Sequence, residues 1–511
     1  MKTVSVKQMR ELDRKTICEA EIEGKILMER AGAGAAEFIA AFSESLDSSH
    51  SRRYVILAGK GNNGGDAYVV ARHLLEKTNK KVAIFAVCAP EELSGDARWH
   101  AQRTPGEIPR EIRKKLHRED FKPRDIIIDG LLGTGVSGTL REPYPQWIKL
   151  VNSLDLPVIS LDLPSGLNAD DGSFSTAIRA DMTVTMGLPK RGFILGRAPE
   201  ILGILKFVDI GIPEKFVEEV ESGFEMIFEQ DIRKFLGRIP PLSHKKSRGI
   251  VCVIGGSSLF PGAPFLAACA ALRSGSGLVT VAVPDKIEFN NPEMLALITR
   301  KIPGDSEGFF SEKSISRIIP LIGDADSAII GPGLGNGSEL PVFLEKILKM
   351  SKRTVFDADA LNIFAKFAGK TKIPPNSVLT PHPGEIKRLL RGFGLGSLTD
   401  SDRLTQASAL ASKLKTVVVL KGHQTVIASP ERVCVNSSGT PGLASAGTGD
   451  VLTGIIATFL AQDLEPFDAA VAGVFIHGLA AELSPSGHRG LIADELISLL
   501  PAAMRRTSPF A

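Results

Sequence analysis

The sequence predicts two α/β domains of the parallel type, and three observations carry that prediction. The chain has 511 residues, and single hydrophobic cores rarely grow beyond about 250–300 residues. Short β-branched runs alternate with longer helical patterns in both halves. The 50 glycines exceed the usual share of about 7% and sit in short clusters rather than in a low-complexity tract.

In the first half the strand candidates are YVILA (54–58), KVAIFAV (81–87), DIIID (125–129), PVISLD (157–162), MTVTM (182–186) and a late run, ILKFVDIGIP (204–213). A charged stretch, 217–235, carries no loop motif and marks the junction, giving domains of 1–220 and 230–511. The second half restarts with GIVCVIGGSS (249–258). Its further strands are GLVTVAVP (277–284), SAIIGPG (327–333), TVFDAD (354–359), SVLTP (377–381), TVVVLKG (416–422) and TVIAS (425–429).

Lys plus Arg number 61 and Asp plus Glu 58, a net charge of +3. That balance gives no reason to expect nucleic acid or a membrane surface as a partner. Five cysteines without a CxxC pair argue against a disulfide framework or a zinc site and suit a reducing compartment. The charged N-terminus lacks the apolar core of a secretory signal, and no run is long enough to span a membrane. A cytoplasmic location is the expectation, and a homo-oligomer is left open.

In a parallel sheet the strand C-termini share one edge, and ligands bind in the crevice there. Four first-half strands end in polar or glycine-rich loops: AGKGNNGGDA (58–67), DGLLGTGVSG (129–138), DLPSGLNADDG (162–172) and MGLPKRG (186–192). Glycines let backbone N–H groups approach a phosphate, and a helix N-terminus favours its charge. Singly, each such loop is more often a structural turn than a functional one, and Asp129 and Asp162 are also readable as helix-capping residues. GTGVSG is not a GxGxxG fingerprint and no Walker A motif is present. Several such loops on one edge point to a phosphate-bearing ligand, with the aspartates binding a cation or moving a proton.

GNNGGDAYVVARHL, DGLLGTGVSGTLREP, LDLPSGLNADDG and TVTMGLPK, in this order, resemble the signature run of the NAD(P)H-hydrate epimerase family over roughly residues 1–215. The resemblance implies a Rossmann-like α/β/α sandwich that interconverts the R and S epimers of hydrated NADH or NADPH at C6 of the nicotinamide ring, with K⁺ beside the substrate. By position, Asn62, Asn63, Gly64, Gly65 and Asp66 are expected at the substrate, and Gly133, Thr134, Gly135, Val136, Ser137, Gly138 and Thr139 around its pyrophosphate. Asp162 is expected at the reacting ring as the acid/base residue. Asn63, Asp129 and Ser165 are expected to bind K⁺, an oxygen set suited to a hard cation. Ala67 stands where the family frequently has glycine.

In the second half, SAGTGD (445–450) is a glycine turn ending in an acid at the start of an apolar helix. Its N–H groups suit the anion that develops when a phosphoryl group moves, and Asp450 is placed to take a proton from a hydroxyl. The alternative is an N-capping aspartate. LTPHPGEIKRLL (379–390) sets His382 and Glu385 at a strand end, where a glutamate can help hold Mg²⁺ through water. VLKGHQTVI (419–427) offers Lys421 as a phosphate partner or as an ordinary hairpin lysine.

Together with the segment 255–284, IIGPGLG and FDADALN, these motifs resemble the NAD(P)H-hydrate dehydratase family over about residues 235–505. The resemblance implies a ribokinase-like α/β domain that removes the C6 hydroxyl of the S form as water, coupled to nucleotide hydrolysis. Hydroxide is a poor leaving group, so phosphorylating it first makes elimination feasible. ADP is expected, because bacterial members use it and the fused architecture looks bacterial. Lys421, Gly422, His423, Gln424 and Thr425 are expected at the ADP site. Thr440, Pro441, Gly442, Leu443, Ala444, Ser445, Ala446, Gly447, Thr448 and Gly449 are expected to close over it. Gly335, Leu379, Thr380, Pro381, His382, Pro383, Gly384 and Glu385 are expected at the hydrated substrate, with Asp450 as the base. LFPGA (259–263) departs from the family's usual Tyr-Thr-Gly-Ala run, which puts contacts at Phe260 and Pro261 in doubt.

The rival reading is a small-molecule kinase for a vitamin-like alcohol. An epimerase-like half is the discriminator, because such a kinase has no use for one. A silent N-terminal module or a noncatalytic scaffold would predict loss of Asp129, Asp162 or Asp450, and all three are present.

Overall fold

A computed structural model describes residues 1–46, 53–78, 80–136, 138–288, 295–350, 353–368 and 372–511. The chain forms two compact units, Met1–Met226 and Ile227–Ala511.

The first unit holds a seven-stranded sheet. Its strands are β1 (Tyr54–Ala58), β2 (Val82–Ala86), β3 (Arg110–Ile112), β4 (Ile126–Gly130), β5 (Val158–Leu161), β6 (Met182–Met186) and β7 (Ile204–Val208). The order is β3-β2-β1-β4-β5-β6-β7, and every pairing is parallel. Strands covered on both faces read as continuous apolar runs, which is why six of them are legible in the sequence. β3 is exposed along its length and leaves no such signal. Alternate β1 side chains serve opposite faces. Tyr54 and Ile56 pack under the helices Gly24–Leu46 and Asn62–Lys77, whereas Val55 and Leu57 meet Trp147 and Ile148.

The sheet grows outward from β1 in both directions, so the loops leaving β1 and β4 flank its topological switch point. Register sets Leu57 beside Asp129 and Asp129 beside Ser160.

The second unit repeats the principle with a different sheet. Its strands are β9 (Ile250–Ile254), β10 (Leu278–Pro284), β11 (Ile298–Ile302), β12 (Ser327–Ile330), β13 (Thr354–Phe356), β14 (Ser377–Leu379), β15 (Val417–Leu420), β16 (Val426–Ala428) and β17 (Val433–Asn436). The order is β11-β10-β9-β12-β13-β14-β15-β16-β17, with the junction strand β8 (Glu225–Ile227) last. Pairing is parallel from β11 to β15 and antiparallel from β15 to β17. Here the switch point lies at β9, between β10 and β12.

The helices Thr448–Ala461 and Pro466–Glu482 are buried along most of their length. Helices apolar all round belong in a core, and this one joins them to Val251, Ile329, Val355 and Val419 of the sheet. Gly454 lets Thr448–Ala461 approach the helix Ala263–Arg273, because a Cβ there would strike the Ala267 carbonyl oxygen. Overpacking of this kind costs about 1–3 kcal/mol. Gly454→Ala is therefore expected to lower the denaturation midpoint of the second unit in urea titrations.

Candidate active sites

The first unit carries a cavity of about 650 Å³ over its sheet edge. Asn62, Asn63, Asp66, Gly133, Thr134, Gly135, Val136, Thr139 and Asp162 line it. Ser137 lies outside the described residues. Gly64 and Gly65 do not line it, and both are closely packed on their Cα side: a Cβ on Gly64 would strike the Gly59 carbonyl, and one on Gly65 would reach Met28 and Ala97. Gly138 adopts φ +72° and is also absent from the lining. Ala67 is accommodated because the facing residue, Gly130, has no Cβ.

Sequence reasoning missed Arg10, Asp13 and Lys190, all in the cavity wall. Lys190 is 1% exposed and pairs with Asp162. It also donates to Thr185 Oγ1 at 3.1 Å and to the Met186 carbonyl at 2.9 Å. Lys190, the Thr185 hydroxyl and the Met186 N–H all converge on Asp162 Oδ1. The aspartate is thereby fixed in a left-handed conformation, φ +61°, that non-glycine residues seldom adopt. Burial pushes Asp13 up to about 6, against the pull of Lys190 and with a push from Asp162. Burial, reinforced by Asp162, lifts Asp66 well above the ordinary carboxylate range.

Beneath the cavity, Asp129 is fully buried. Burial raises its pKa, while hydrogen bonds pull the other way. Ser160 Oγ donates to it at 2.8 Å, the Ser165 N–H at 2.9 Å and Ser165 Oγ at 2.6 Å. Asn63 donates its Nδ2 to the Leu132 carbonyl at 2.8 Å, yet its buried Oδ1 has no partner among the described residues. A buried acceptor without a donor is costly. With Asp129 and Ser165 at hand, that orphan oxygen fits a hard cation bound by oxygen ligands.

In the second unit, Lys421 leaves β15 and meets Asp357 Oδ1 at 2.6 Å. Burial opposes its charge, but Asp357, Glu385 and Asp450 together hold its pKa above the usual lysine value. Its partner is thus Asp357, a residue the motif reading left without a role. Asp357 opens a tight turn in which Ala358 takes φ +51°. Asp450 lies in the first turn of Thr448–Ala461. Burial pushes it up to about 7, and Asp357 adds to that. Glu385 is pushed to about 7, chiefly by burial. One of its oxygens accepts the His382 N–H at 2.8 Å, closing a capping box on the helix Pro383–Gly392.

The surrounding loops are pinned by residues the motifs did not mark. Arg403 donates to the carbonyls of Leu420 at 2.9 Å, of Lys421 and Gln424 at 3.3 Å, and of His423. That clamp shapes the segment Lys421–Thr425. Thr448 Oγ1 ties back to Leu443 and Ser445, and His477 donates Nε2 to the Thr448 carbonyl at 2.8 Å. These bonds set the segment Thr440–Gly449, where Gly447 takes φ +83°. Thr380 and Pro381 sit at the end of β14, and the Pro381 carbonyl accepts the Lys421 N–H at 2.8 Å. Gly335 lies on a second cavity, and its N–H donates to Asp359 at 2.8 Å. Phe260, at the departure from the family's usual run, is 54% exposed.

Residues 24–192 match the family described as YjeF-related protein N-terminus, and residues 251–502 the family described as NAD(P)H-hydrate dehydratase. A bifunctional NAD(P)H-hydrate repair enzyme of Moorella thermoacetica is 36% identical over 99% of this chain and 97% of the relative. That of Archaeoglobus fulgidus is 35% identical over the full length of both. The chain belongs to the bifunctional NAD(P)H-hydrate repair enzyme family. A solved ADP/ATP-dependent NAD(P)H-hydrate dehydratase of Bacillus subtilis is 30% identical, covering 56% of this chain and all of that one, with a TM-score of 0.48.

For this member of the repair enzyme family, the raised pKa of Asp450 makes stability depend on pH. An acid that holds its proton more tightly when folded stabilises the protein most below the ordinary carboxylate range. That contribution is lost as pH rises from about 4 towards the folded pKa of about 7. Asp450→Asn removes the penalty. Without ligands, its melting temperature is expected to exceed wild type by about 2–5 °C at pH 8. Calorimetric scans should show the gap closing near pH 4.

Proposed function

We propose that the chain restores hydrated nicotinamide cofactors. The first unit interconverts the R and S forms of hydrated NADH and NADPH, and the second dehydrates the S form with ADP and Mg²⁺. Full-length similarity to bifunctional repair enzymes carries this reading. The buried clusters around Asp162 and Asp450 supply chemistry for each half. One unit alone would leave part of the damaged pool behind, because dehydration takes only one epimer.

In the first unit, Asp162 faces the reacting ring, held in place by Lys190. Asn63, Asp129 and Ser165 would hold K⁺, which supplies positive charge beside the substrate. Replacing K⁺ by a bulky organic cation is expected to slow epimerisation while sparing dehydration of the pure S form. The two rates are separable by chiral chromatography of the hydrates.

In the second unit, bound ADP supplies the phosphoryl group that turns hydroxide into a leaving group. Asp450 takes the proton from the C6 hydroxyl, a role suited to a carboxyl with a pKa near neutrality. The N–H groups at the start of Thr448–Ala461 stabilise the negative charge that develops. Lys421, anchored by Asp357, keeps a fixed positive charge beside them. Glu385 would help to hold Mg²⁺, which would supply positive charge beside the phosphoryl group.

The test supplies a mixed R and S pool of hydrated NADH with ADP, Mg²⁺ and K⁺ and follows the NADH absorbance band. Wild type is expected to recover the whole pool. Asp450→Asn should lose at least about 100-fold in rate. Asp162→Ala should recover the S portion at the normal rate and the remainder only slowly. Absence of NADH with either ADP or ATP would falsify the repair reading and favour a small-molecule kinase.

A further inference from the structure

The second cavity holds about 750 Å³ and is walled by the loop that starts at Gly335, the helix Asp359–Lys366 and the helix Pro383–Gly392. This volume is ordinary for a small-molecule site. Its charge is not balanced. Lys366, Arg388 and Arg391 line it against one carboxylate, Asp359. That carboxylate is already engaged by the Gly335 N–H. Among the described residues, none of the three cations forms an ion pair.

Two of the cations share a helix with the reacting cluster. Glu385, Arg388 and Arg391 follow at intervals of three on Pro383–Gly392, so they climb one side of that helix. Arg388 pulls down the pKa of both Glu385 and His382, which places its charge within their electrostatic reach. Arg388 Nε also donates to Asn362 Oδ1 at 2.9 Å, which holds the guanidinium at the cavity wall. On the other wall, Asp359 adds to the upward shift of Asp450. The cavity therefore lies against the helix that carries Glu385 and against the start of the helix that follows Asp357.

We infer that this cavity receives the phosphate-bearing arm of the hydrated dinucleotide, with Arg388, Arg391 and Lys366 as its anion-binding groups. The net surplus of positive charge matches a dianion, and guanidinium groups pair with phosphate oxygens in forked geometry. Gly335 already belongs to the hydrated-substrate side of the proposed site, and the ADP loops Lys421–Thr425 and Thr440–Gly449 contribute nothing to this lining. The dianion is either the pyrophosphate common to both hydrated cofactors or the 2′-phosphate of hydrated NADPH. The inference rests on the repair reading of the second unit.

The experiment measures steady-state dehydration of the S forms of hydrated NADH and hydrated NADPH by the full chain, with ADP and Mg²⁺. Arg388→Gln, Arg391→Gln and Lys366→Gln are compared with wild type, and Arg391→Lys serves as the conservative control. Loss of a charge-assisted phosphate contact is expected to raise KM for the hydrated substrate about tenfold. kcat should stay within about twofold, KM for ADP should not move, and Arg391→Lys should recover most of the loss. A rise for hydrated NADPH alone assigns the cations to the 2′-phosphate, and an equal rise for both assigns them to the pyrophosphate. Either result supports the site. The inference is overturned if KM for both hydrates stays within twofold in all three glutamine variants, or if KM for ADP rises instead. A wild type that regenerates neither cofactor removes the repair reading itself, before any variant is compared.

Discussion

Parallel pairing is the constraint on which both units depend. It delivers each strand of the paired set to the same sheet edge, so loops distant in sequence converge there. In the first unit, the reversal of order at β1 sets the loop after Ala58 beside the loop after Gly130. In the second, the reversal at β9 does the same for the loops that follow Ile254 and Ile330. The glycines of these loops serve close packing as much as ligand approach. Gly59 and Gly64 meet each other, and Gly331 meets the Asp357 carbonyl.

Each edge is organised by a lysine tied to an aspartate. Lys190 with Asp162 and Lys421 with Asp357 are both shielded from solvent on at least one side. A charge withdrawn from water is tolerated only when it is paired and hydrogen-bonded, and here each pair is supported by backbone bonds nearby. Both aspartates sit at or beside a non-glycine residue with positive φ, Asp162 itself and Ala358. Backbone strain and buried charge thus coincide at both proposed reaction centres, as expected where the surrounding fold over-determines a functional geometry. Burial raises the pKa of the carboxyls left around each pair, Asp13 and Asp66 in one unit and Asp450 and Glu385 in the other.

Strands buried on both faces announced themselves by composition, and this made most of each sheet readable. The strands that escaped notice were short, polar or at an edge. β3 is exposed, and β11 carries the charged run Thr-Arg-Lys at its centre. β17 is short and lies in the antiparallel extension. The glycine-rich loops were equally plain, and so were Asp129, Asp162 and Asp450 at their ends.

What the sequence determined by itself was the α/β alternation, the motif loops and the family they resemble, because each is a local pattern. What only the tertiary structure decided was partnership. No spacing in the chain shows that Asp13 shares a cavity with Asp66, or that Lys421 crosses to Asp357 rather than pointing into solvent. Nor could it show that Arg403 clamps four carbonyls of another loop. Nor does the motif reveal that Gly64 and Gly65 leave no room for a Cβ against Gly59, Met28 and Ala97. Such roles depend on which side chains meet across the sheet edge. Strand order and register settle that, and neither is encoded in any single segment.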